Sequence, residues 1–210
     1  MDREFLLIAA VAISAILTII GRYSRRRQIL YVFKPLTMGM IIFKAATSPP
    51  GYGIIYQALI LLGLIISLVG DIFLMLPRDK FTQGSISFFA AHVFYALAFA
   101  QNVHSFFWIG LAPFFIFAAV LFILLQRHLG RFRIPILLYM IVISLMAWLA
   151  ANRYFNFRDS ETLFALIGGF LFLISDSILA LNKFKKPFKP AQAFILSTYF
   201  IAQLLIASSF

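Results

Sequence analysis

The sequence contains no cysteine, only three histidines and only seven acidic residues in a chain of 210. The absence of cysteine excludes disulfides, thiolate metal sites, iron–sulfur clusters and covalently attached haem. Two of the three histidines fall in predicted loops, so a zinc site built from several histidines is not expected. We therefore expect neither a metal ion nor a cofactor.

Charged residues make up 12% of the chain and hydrophobic residues 63%, with a mean hydropathy of +0.98. About 20 apolar helical residues cross a hydrocarbon layer of about 30 Å. The pattern predicts an all-α integral membrane protein, a single domain over residues 1–210. Its eight predicted transmembrane helices are 5–21, 29–46, 54–76, 82–101, 105–126, 134–151, 162–182 and 190–209, of which the second and sixth are short.

Basic residues are distributed unequally between the two sets of loops. Thirteen of the 18 Lys and Arg residues lie in the loops that follow the odd-numbered spans, and four lie on the opposite side. The positive-inside rule makes the first set cytoplasmic and places both termini on the non-cytoplasmic side. The net charge of +11 is thus a topology signal, and no nucleic-acid partner is expected. The N-terminus lacks the basic region of a signal peptide, so we expect the first span to be retained.

Two halves of the sequence correspond at an offset of 105 residues. Asp71 and Asp176 are related by this offset, and the positions 21 residues after each of them also occupy matching places in the fourth and eighth spans. The correspondence predicts two parallel four-helix repeats, 1–104 and 105–210, related by an axis along the membrane normal. Chance alignment of apolar runs is the alternative.

Asp71 and Asp176 occupy matching depths. Each lies six residues from the end of its apolar run, which at 1.5 Å per residue is roughly 9 Å inside the predicted cytoplasmic edge. A carboxylate in hydrocarbon is costly unless something stabilises it, so two at one depth indicate function. Lys34 lies at a similar depth on the second span. We expect it either to pair with an aspartate or a substrate phosphate, or to extend its ammonium group to the interface.

Further polar side chains recur at helical spacing. His92 and Tyr95 share a face of the fourth span, and Gln192, Tyr199 and Gln203 form a stripe on the eighth. Hydrogen bonding between helices accounts for such groups in many membrane proteins. The alternative is a polar cavity that opens toward the cytoplasmic leaflet. The residues expected to line it are Lys34, Asp71, His92, Tyr95, Asp176, Tyr199 and Gln203, with Tyr139 as a further candidate.

The immediate neighbours of the two aspartates differ. A preceding glycine leaves Asp71 in apolar surroundings, which favour the neutral acid, whereas Ser175 and Ser177 are placed to hydrogen-bond an ionised Asp176. A neutral acid beside a carboxylate is used for acid-catalysed cleavage through an oxocarbenium ion. The sequence therefore favours Asp71 as proton donor and Asp176 as anion or base. A structural role, such as a pair with Lys34, is the alternative.

Several short motifs follow one another in order from residue 34 onward. They are Lys34-Pro35, Gly70-Asp71-x-x-Leu74-Met75-Leu76, Phe81-x-x-Gly84, Phe88-x-x-x-His92-x-x-Tyr95, Tyr139 with Met146, Ser175-Asp176-Ser177-x-Leu179-Ala180 and Tyr199-x-x-x-Gln203. In this order and spacing the chain resembles the lysoplasmalogenase family of YhhN-like multi-span membrane proteins.

The resemblance implies an ether hydrolase that cleaves the vinyl ether bond of lysoplasmalogens to a fatty aldehyde and a glycerophospho-ethanolamine or -choline. Its partners would be a lysophospholipid substrate and membrane lipid, in a bacterial inner membrane or a eukaryotic endomembrane. The oligomeric state and the physiological substrate stay open. Asp71 and Asp176 would be catalytic. The expected substrate-binding residues are Lys34, His92, Tyr95, Tyr139, Ser175, Tyr199 and Gln203.

Vinyl ether hydrolysis begins with protonation of carbon, and it therefore needs a positioned acid, an anion near the resulting cation and a base for water. The basic loops 25–27 and 183–186 are placed to hold the lipid phosphate. A proton-coupled transporter or lipid flippase is the alternative function, since parallel repeats and buried aspartates also mark carriers. A purely structural scaffold leaves two matched aspartates unexplained.

Overall fold

The structure is a computed structural model that describes residues 3–24, 27–76 and 80–210. Within these ranges the chain forms eight α-helices and no strand, which confirms the all-α class. The helices are α1 Arg3–Tyr23, α2 Arg27–Thr47, α3 Ile54–Met75, α4 Phe81–Phe99, α5 Leu111–Leu125, α6 Arg133–Phe157, α7 Ser160–Ala180 and α8 Ala191–Ile206. Short 3₁₀ turns, Trp108–Gly110 and Gly130–Phe132, precede α5 and α6, and a π-helical turn, Leu181–Lys185, extends α7.

Six of the described helical segments are long and apolar enough to cross a membrane. They are α1, α2 and α3, α5 and α6 with their preceding turns, and α7 with its π-helical turn. The chain is accordingly an integral membrane protein. The helix α8 has only 16 residues, and α4 also falls outside the group, so eight complete spans stay a prediction.

The sixth helix is longer than the sequence predicts. Its predicted span ends at residue 151, whereas α6 continues to Phe157 and contains 25 residues. The charge of Arg153 suggests a position in a loop, but the side chain is fully buried. Its guanidinium carbon lies 4.2 Å from the ring centres of both Tyr52 and Tyr56, and its Nη1 donates to the Gln101 carbonyl at 2.7 Å. These cation–π contacts and this hydrogen bond offset the cost of burying the charge.

The helices pack chiefly with their neighbours in sequence. Contacts are most extensive between α3 and α4, between α7 and α8, and between α1 and α2. The helix α6 joins the halves of the chain because it packs against both α4 and α7, and α2 packs against α3 and α8. The helix α5 packs mainly against α6. The helices α2, α3, α4, α6, α7 and α8 supply the two aspartates and the side chains around them.

Glycines on α3 allow α4 to approach closely. A Cβ at Gly63 would lie 2.3 Å from the Tyr95 ring, and one at Gly70 would lie 2.9 Å from the Phe88 ring. Because these glycines are two turns apart on one face, aromatic rings of α4 lie directly against the α3 backbone. Gly168, related to Gly63 by the 105-residue offset, allows α8 to approach α7 in the same way.

Replacing Gly63 with alanine is expected to destabilise the protein by roughly 1–3 kcal/mol, because the Tyr95 ring must move out of a close-packed position. Gly39→Ala is the matched control, since Gly39 is also helical and a Cβ there would meet no atom within 4 Å. Thermal unfolding of both variants in the same detergent tests this. Equal melting temperatures would show that the α3–α4 contact is not close-packed at Gly63.

The difference in positive charge between the two sets of loops, which predicts the orientation, is larger in the structure than in the sequence. Of the four basic residues on the side opposite the basic loops, Arg153 and Lys44 are buried within helices, and Lys44 pairs with Glu4 at 3.4 Å. The loops on that side therefore expose fewer positive charges than the sequence suggests. The cytoplasmic position of the basic loops stays a prediction.

Single cysteines in this cysteine-free chain test the orientation. A membrane-impermeant thiol reagent is expected to label His104→Cys, in the α4–α5 loop, from outside intact cells. Lys185→Cys should react only after the cells are opened, because residue 185 ends the π-helical turn at the basic end of α7. The opposite pattern would invert the orientation, and labelling of both from outside would show that an even number of the three predicted spans between them crosses the membrane.

Candidate active site

The first centre is a buried ion pair around Asp71. Its carboxylate is 1% exposed, Lys34 Nζ lies 2.9 Å from Oδ1, and the Tyr199 hydroxyl donates to Oδ2 at 2.6 Å. The helices α2, α3 and α8 each supply one of these residues. A cation and a hydrogen-bond donor both favour the ionised carboxylate. The surroundings of Asp71 are therefore not apolar, and the Lys34 ammonium group points into the protein rather than toward the interface.

The second centre surrounds Asp176 on α7. The Tyr139 hydroxyl of α6 donates to Oδ2, and His92 Nε2 of α4 lies 3.8 Å from the same oxygen, beyond direct hydrogen-bonding distance. The imidazole is fully buried, with ring centres 5.3 Å from Tyr139 and 4.5 Å from Phe172. In the described ranges no lysine or arginine forms an ion pair with Asp176. The two aspartates thus have different partners.

The serines beside Asp176 do not stabilise it. The Ser175 hydroxyl donates to the Ile195 carbonyl at 3.0 Å, and the Ser177 hydroxyl donates to the Leu173 carbonyl at 2.6 Å. The predicted hydrogen bonds from these serines to the carboxylate are therefore wrong, because backbone carbonyls engage both hydroxyls. The surroundings of Asp71 are not apolar, and Asp176 receives no hydrogen bond from these serines. Both reasons for choosing Asp71 as proton donor therefore fail.

The partners of the two aspartates follow one pattern. Each aspartate takes one partner from the helix that precedes its own and another from the last helix of the other half of the chain. The partners on the preceding helices, Lys34 and Tyr139, are themselves 105 residues apart. This arrangement is what the predicted duplication would produce, and the duplication itself stays a prediction.

A polar cavity of about 210 Å³ brings the two centres together. Asp71 and Asp176 both line it, as the sequence predicts. Its other polar lining residues are Lys34, Ser175, Gln192 and Tyr199, and three basic residues, Arg22, Lys80 and Lys183, also contribute to its walls. These three come from the ends of α1, α4 and α7 that adjoin three of the four basic loops. The cavity therefore combines carboxylates with positive charge at the basic end of the bundle.

An apolar cavity adjoins the polar one. Its walls come mainly from α4, α5, α6 and α7 and include Phe117, Leu121 and Met140. Five residues line both cavities, namely Leu74, Phe81, Phe88, Asp176 and Leu179. The Asp176 carboxyl group therefore lies where a polar compartment meets an apolar one, and Tyr139 lines the apolar side.

Three residues predicted to line the polar cavity lie outside its walls. His92, Tyr95 and Gln203 are fully buried. The Tyr95 hydroxyl donates to Gln203 Oε1 at 2.7 Å, so these two side chains bond each other between α4 and α8. His92 lies against Asp176 and Tyr139. The direction of these side chains within the bundle, rather than their depth, separates them from the cavity.

Some lining residues have no signal specific to a site in the sequence. Arg22, Lys80 and Lys183 belong to basic stretches that predict topology, and a charge count does not tell which of them face a cavity. Two arginines expected to hold a phosphate, Arg25 and Arg26, lie outside the described residues. Phe81 is one of 26 phenylalanines, and only its position in space sets it apart.

Comparison with known proteins identifies the family. The model of the YhhN family matches residues 29–210, which include both aspartates and all of their partners. The chain belongs to the YhhN family. The membrane protein YhhN of Escherichia coli O157:H7 is 31% identical over 201 residues, covering 95% of this chain and 96% of that protein. No solved structure matches the chain.

Two mammalian relatives carry the name lysoplasmalogenase. Human lysoplasmalogenase TMEM86A is 36% identical over 159 residues, covering 71% of this chain and 64% of the human protein. Pig lysoplasmalogenase TMEM86B is 30% identical over 181 residues, covering 83% of this chain and 71% of the pig protein. The expected family is thus confirmed.

Proposed function

We propose that this protein is a membrane-embedded hydrolase that cleaves the vinyl ether bond of lysoplasmalogens. The observation that carries the proposal is the position of Asp176, on the boundary between an apolar cavity and a polar cavity that also contains Asp71. Similarity to proteins named lysoplasmalogenase supports the substrate class. A single-chain ether lipid has its reactive bond at the same kind of boundary, between a polar headgroup and a hydrocarbon chain.

The two cavities lie on the two sides of Asp176 that the two parts of such a lipid would take, and the apolar one, with about 40 Å³ in this structure, would have to widen to admit a hydrocarbon chain. The phosphate would lie among Arg22, Lys80 and Lys183, which supply positive charge on the walls of the polar cavity. The hydrocarbon chain would lie in the apolar cavity, beside residues such as Leu121 and Met140. The vinyl ether, which links these parts, then falls next to Asp176.

The contacts of the two carboxyl groups suggest how they divide the chemistry. Lys34 and Tyr199 stabilise Asp71 as an anion. Asp176 is paired with no lysine or arginine in the described ranges, and Tyr139 donates to its Oδ2, so that Oδ1 is left to carry a proton. We therefore assign the proton donor to Asp176 and the anion to Asp71, the reverse of the roles that the sequence favours.

The reaction then proceeds in two stages. Asp176 donates its proton to the vinyl carbon distant from the ether oxygen, and the adjacent carbon becomes an oxocarbenium ion that the Asp71 carboxylate stabilises. Water adds to this cation, and Asp176, now ionised, accepts the proton that water loses. The hemiacetal then splits into a fatty aldehyde and a glycerol hydroxyl. Water is consumed, and both carboxyl groups return to their starting states.

Replacing Asp176 with asparagine is expected to lower turnover by about 10²–10⁴-fold, because asparagine cannot donate the proton. The assay incubates purified protein with a lysoplasmalogen, its alkyl ether analogue and a lysophospholipid ester, and measures released aldehyde and fatty acid. Only the vinyl ether should be cleaved, since the alkyl ether cannot form the cation by protonation at carbon. Near-normal turnover in Asp176→Asn would contradict the assignment.

Stability must be measured on the same samples. Asp71→Asn leaves Lys34 buried without its partner, and breaking such a pair typically costs about 3–5 kcal/mol. The double variant Lys34→Met/Asp71→Asn removes both charges and is expected to recover much of the melting temperature without recovering turnover. Recovered turnover would contradict the role of the Asp71 anion. A transporter or flippase would move the lipid and leave all three substrates intact.

A further inference from the structure

A groove on the outer surface of the bundle lies between α4 and α6. It has a volume of about 520 Å³, and its walls include Ile86 on α4 and Ile134 and Leu138 on α6. These three side chains are 63%, 70% and 52% exposed, respectively. In an integral membrane protein, exposed aliphatic side chains on such helices face lipid. The groove is therefore open sideways to hydrocarbon rather than to water.

The groove adjoins the apolar cavity. Ser85, Ile136 and Tyr139 line both spaces. Tyr139 also donates its hydroxyl to Asp176, so the wall that separates the bilayer from the candidate catalytic carboxyl group is one side chain thick at this point. Arg131 lies on the wall of the groove at its basic end, near the predicted membrane surface.

Phe81 lies where all three spaces meet. It lines the groove, the apolar cavity and the polar cavity. Its ring packs edge-on against Phe132, at 6.4 Å between ring centres, and against Phe184, at 5.5 Å. The three rings come from the start of α4, the 3₁₀ turn before α6 and the π-helical turn after α7. The Phe81 side chain is therefore part of the partition between each pair of these spaces.

We propose that the groove between α4 and α6 is the entrance for a single-chain phospholipid from the bilayer, and that Phe81 is the gate between this entrance and the site of Asp176. The identity of the lipid as a lysoplasmalogen rests on the proposed function, whereas the entrance itself rests on the groove and on the side chains that it shares with the inner cavity. The headgroup would move past Arg131 along the polar edge while the chain slides between the helices.

The two possible routes into the site differ in what surrounds the hydrocarbon chain. Entry through the polar cavity would draw a long hydrocarbon chain through water and past the basic residues, which loses the favourable burial of every methylene group. Entry through the groove keeps the chain in apolar surroundings throughout, and only the headgroup remains at the surface. For a lipid that is already in the membrane, entry through the groove is therefore the energetically favoured route.

Photochemical labelling tests the entrance without relying on turnover. The full protein is placed in phosphatidylcholine vesicles that contain a lysophosphatidylcholine with a diazirine in its chain, and adducts are located by mass spectrometry. In the unmodified protein we expect adducts both on the groove and on the inner apolar cavity, at residues such as Leu121 and Met140. An absence of adducts from the inner cavity would overturn the proposal.

A bulky residue in the groove should lower the labelling of the inner cavity separately from the labelling of the groove. Ser85→Trp is expected to reduce labelling of the inner cavity by about tenfold or more, because an indole leaves no passage in a close-packed wall. Leu138→Trp, at the lipid-facing mouth, provides a second block if the first variant fails to fold. Ile65→Trp is the matched control, since Ile65 faces lipid on α3 with 45% exposure and does not line the groove.

Phe81→Ala is expected to raise inner-cavity labelling several-fold, since it removes a ring from the gate. Unchanged inner-cavity labelling in the folded tryptophan variants would show that lipid enters elsewhere and would overturn the proposal. Because the labelled lipid has an ester and no vinyl ether, the result does not depend on the proposed reaction. A protein that cleaves no vinyl ether but shows the expected labelling would retain the entrance and lose the proposed function.

Discussion

The ion pair between Lys34 and Asp71 is the interaction on which the arrangement of the site depends. Two opposite charges are held 2.9 Å apart inside a bundle that is otherwise mostly apolar, and Tyr199 supplies a further hydrogen bond to the carboxylate. Neither charge is tolerable there alone, so α2, α3 and α8 must meet at this point. The pair also places the Asp71 carboxylate on the wall of a cavity, where the cation and the hydrogen-bond donor favour its anionic form. This anion is what the proposed reaction needs beside a developing cation.

The second half of the chain uses the corresponding position differently. Where α2 presents Lys34 to Asp71, α6 presents Tyr139 to Asp176, 105 residues later. A phenol hydrogen-bonds a carboxyl group but does not neutralise a carboxylate. We propose that one framework therefore supports an ionised aspartate and an aspartate able to retain its proton. In the proposed reaction this difference, rather than the presence of two aspartates, separates the anion from the acid.

The depth of a side chain along its helix could be predicted from the sequence better than the direction in which that side chain points. Counting residues from the span ends places both aspartates and Lys34 at one level, and both aspartates do line one cavity. The same count cannot tell that the Ser175 hydroxyl turns to a backbone carbonyl, or that Tyr95 and Gln203 bond each other away from the cavity. Those outcomes depend on the rotation and close approach of helices, such as that permitted by Gly63. The end of α6 is mispredicted for a related reason, since an aromatic cage that accepts Arg153 is assembled from distant segments.

The protonation states of the two aspartates provide the most direct test of this account. Infrared spectroscopy of the protein in vesicles at neutral pH detects the carbonyl stretch of a protonated carboxyl group, which an ionised carboxylate lacks. The account predicts a band that disappears in Asp176→Asn and persists in the double variant Lys34→Met/Asp71→Asn. A band that persists in Asp176→Asn and disappears in the double variant would assign the proton to Asp71 and contradict the account.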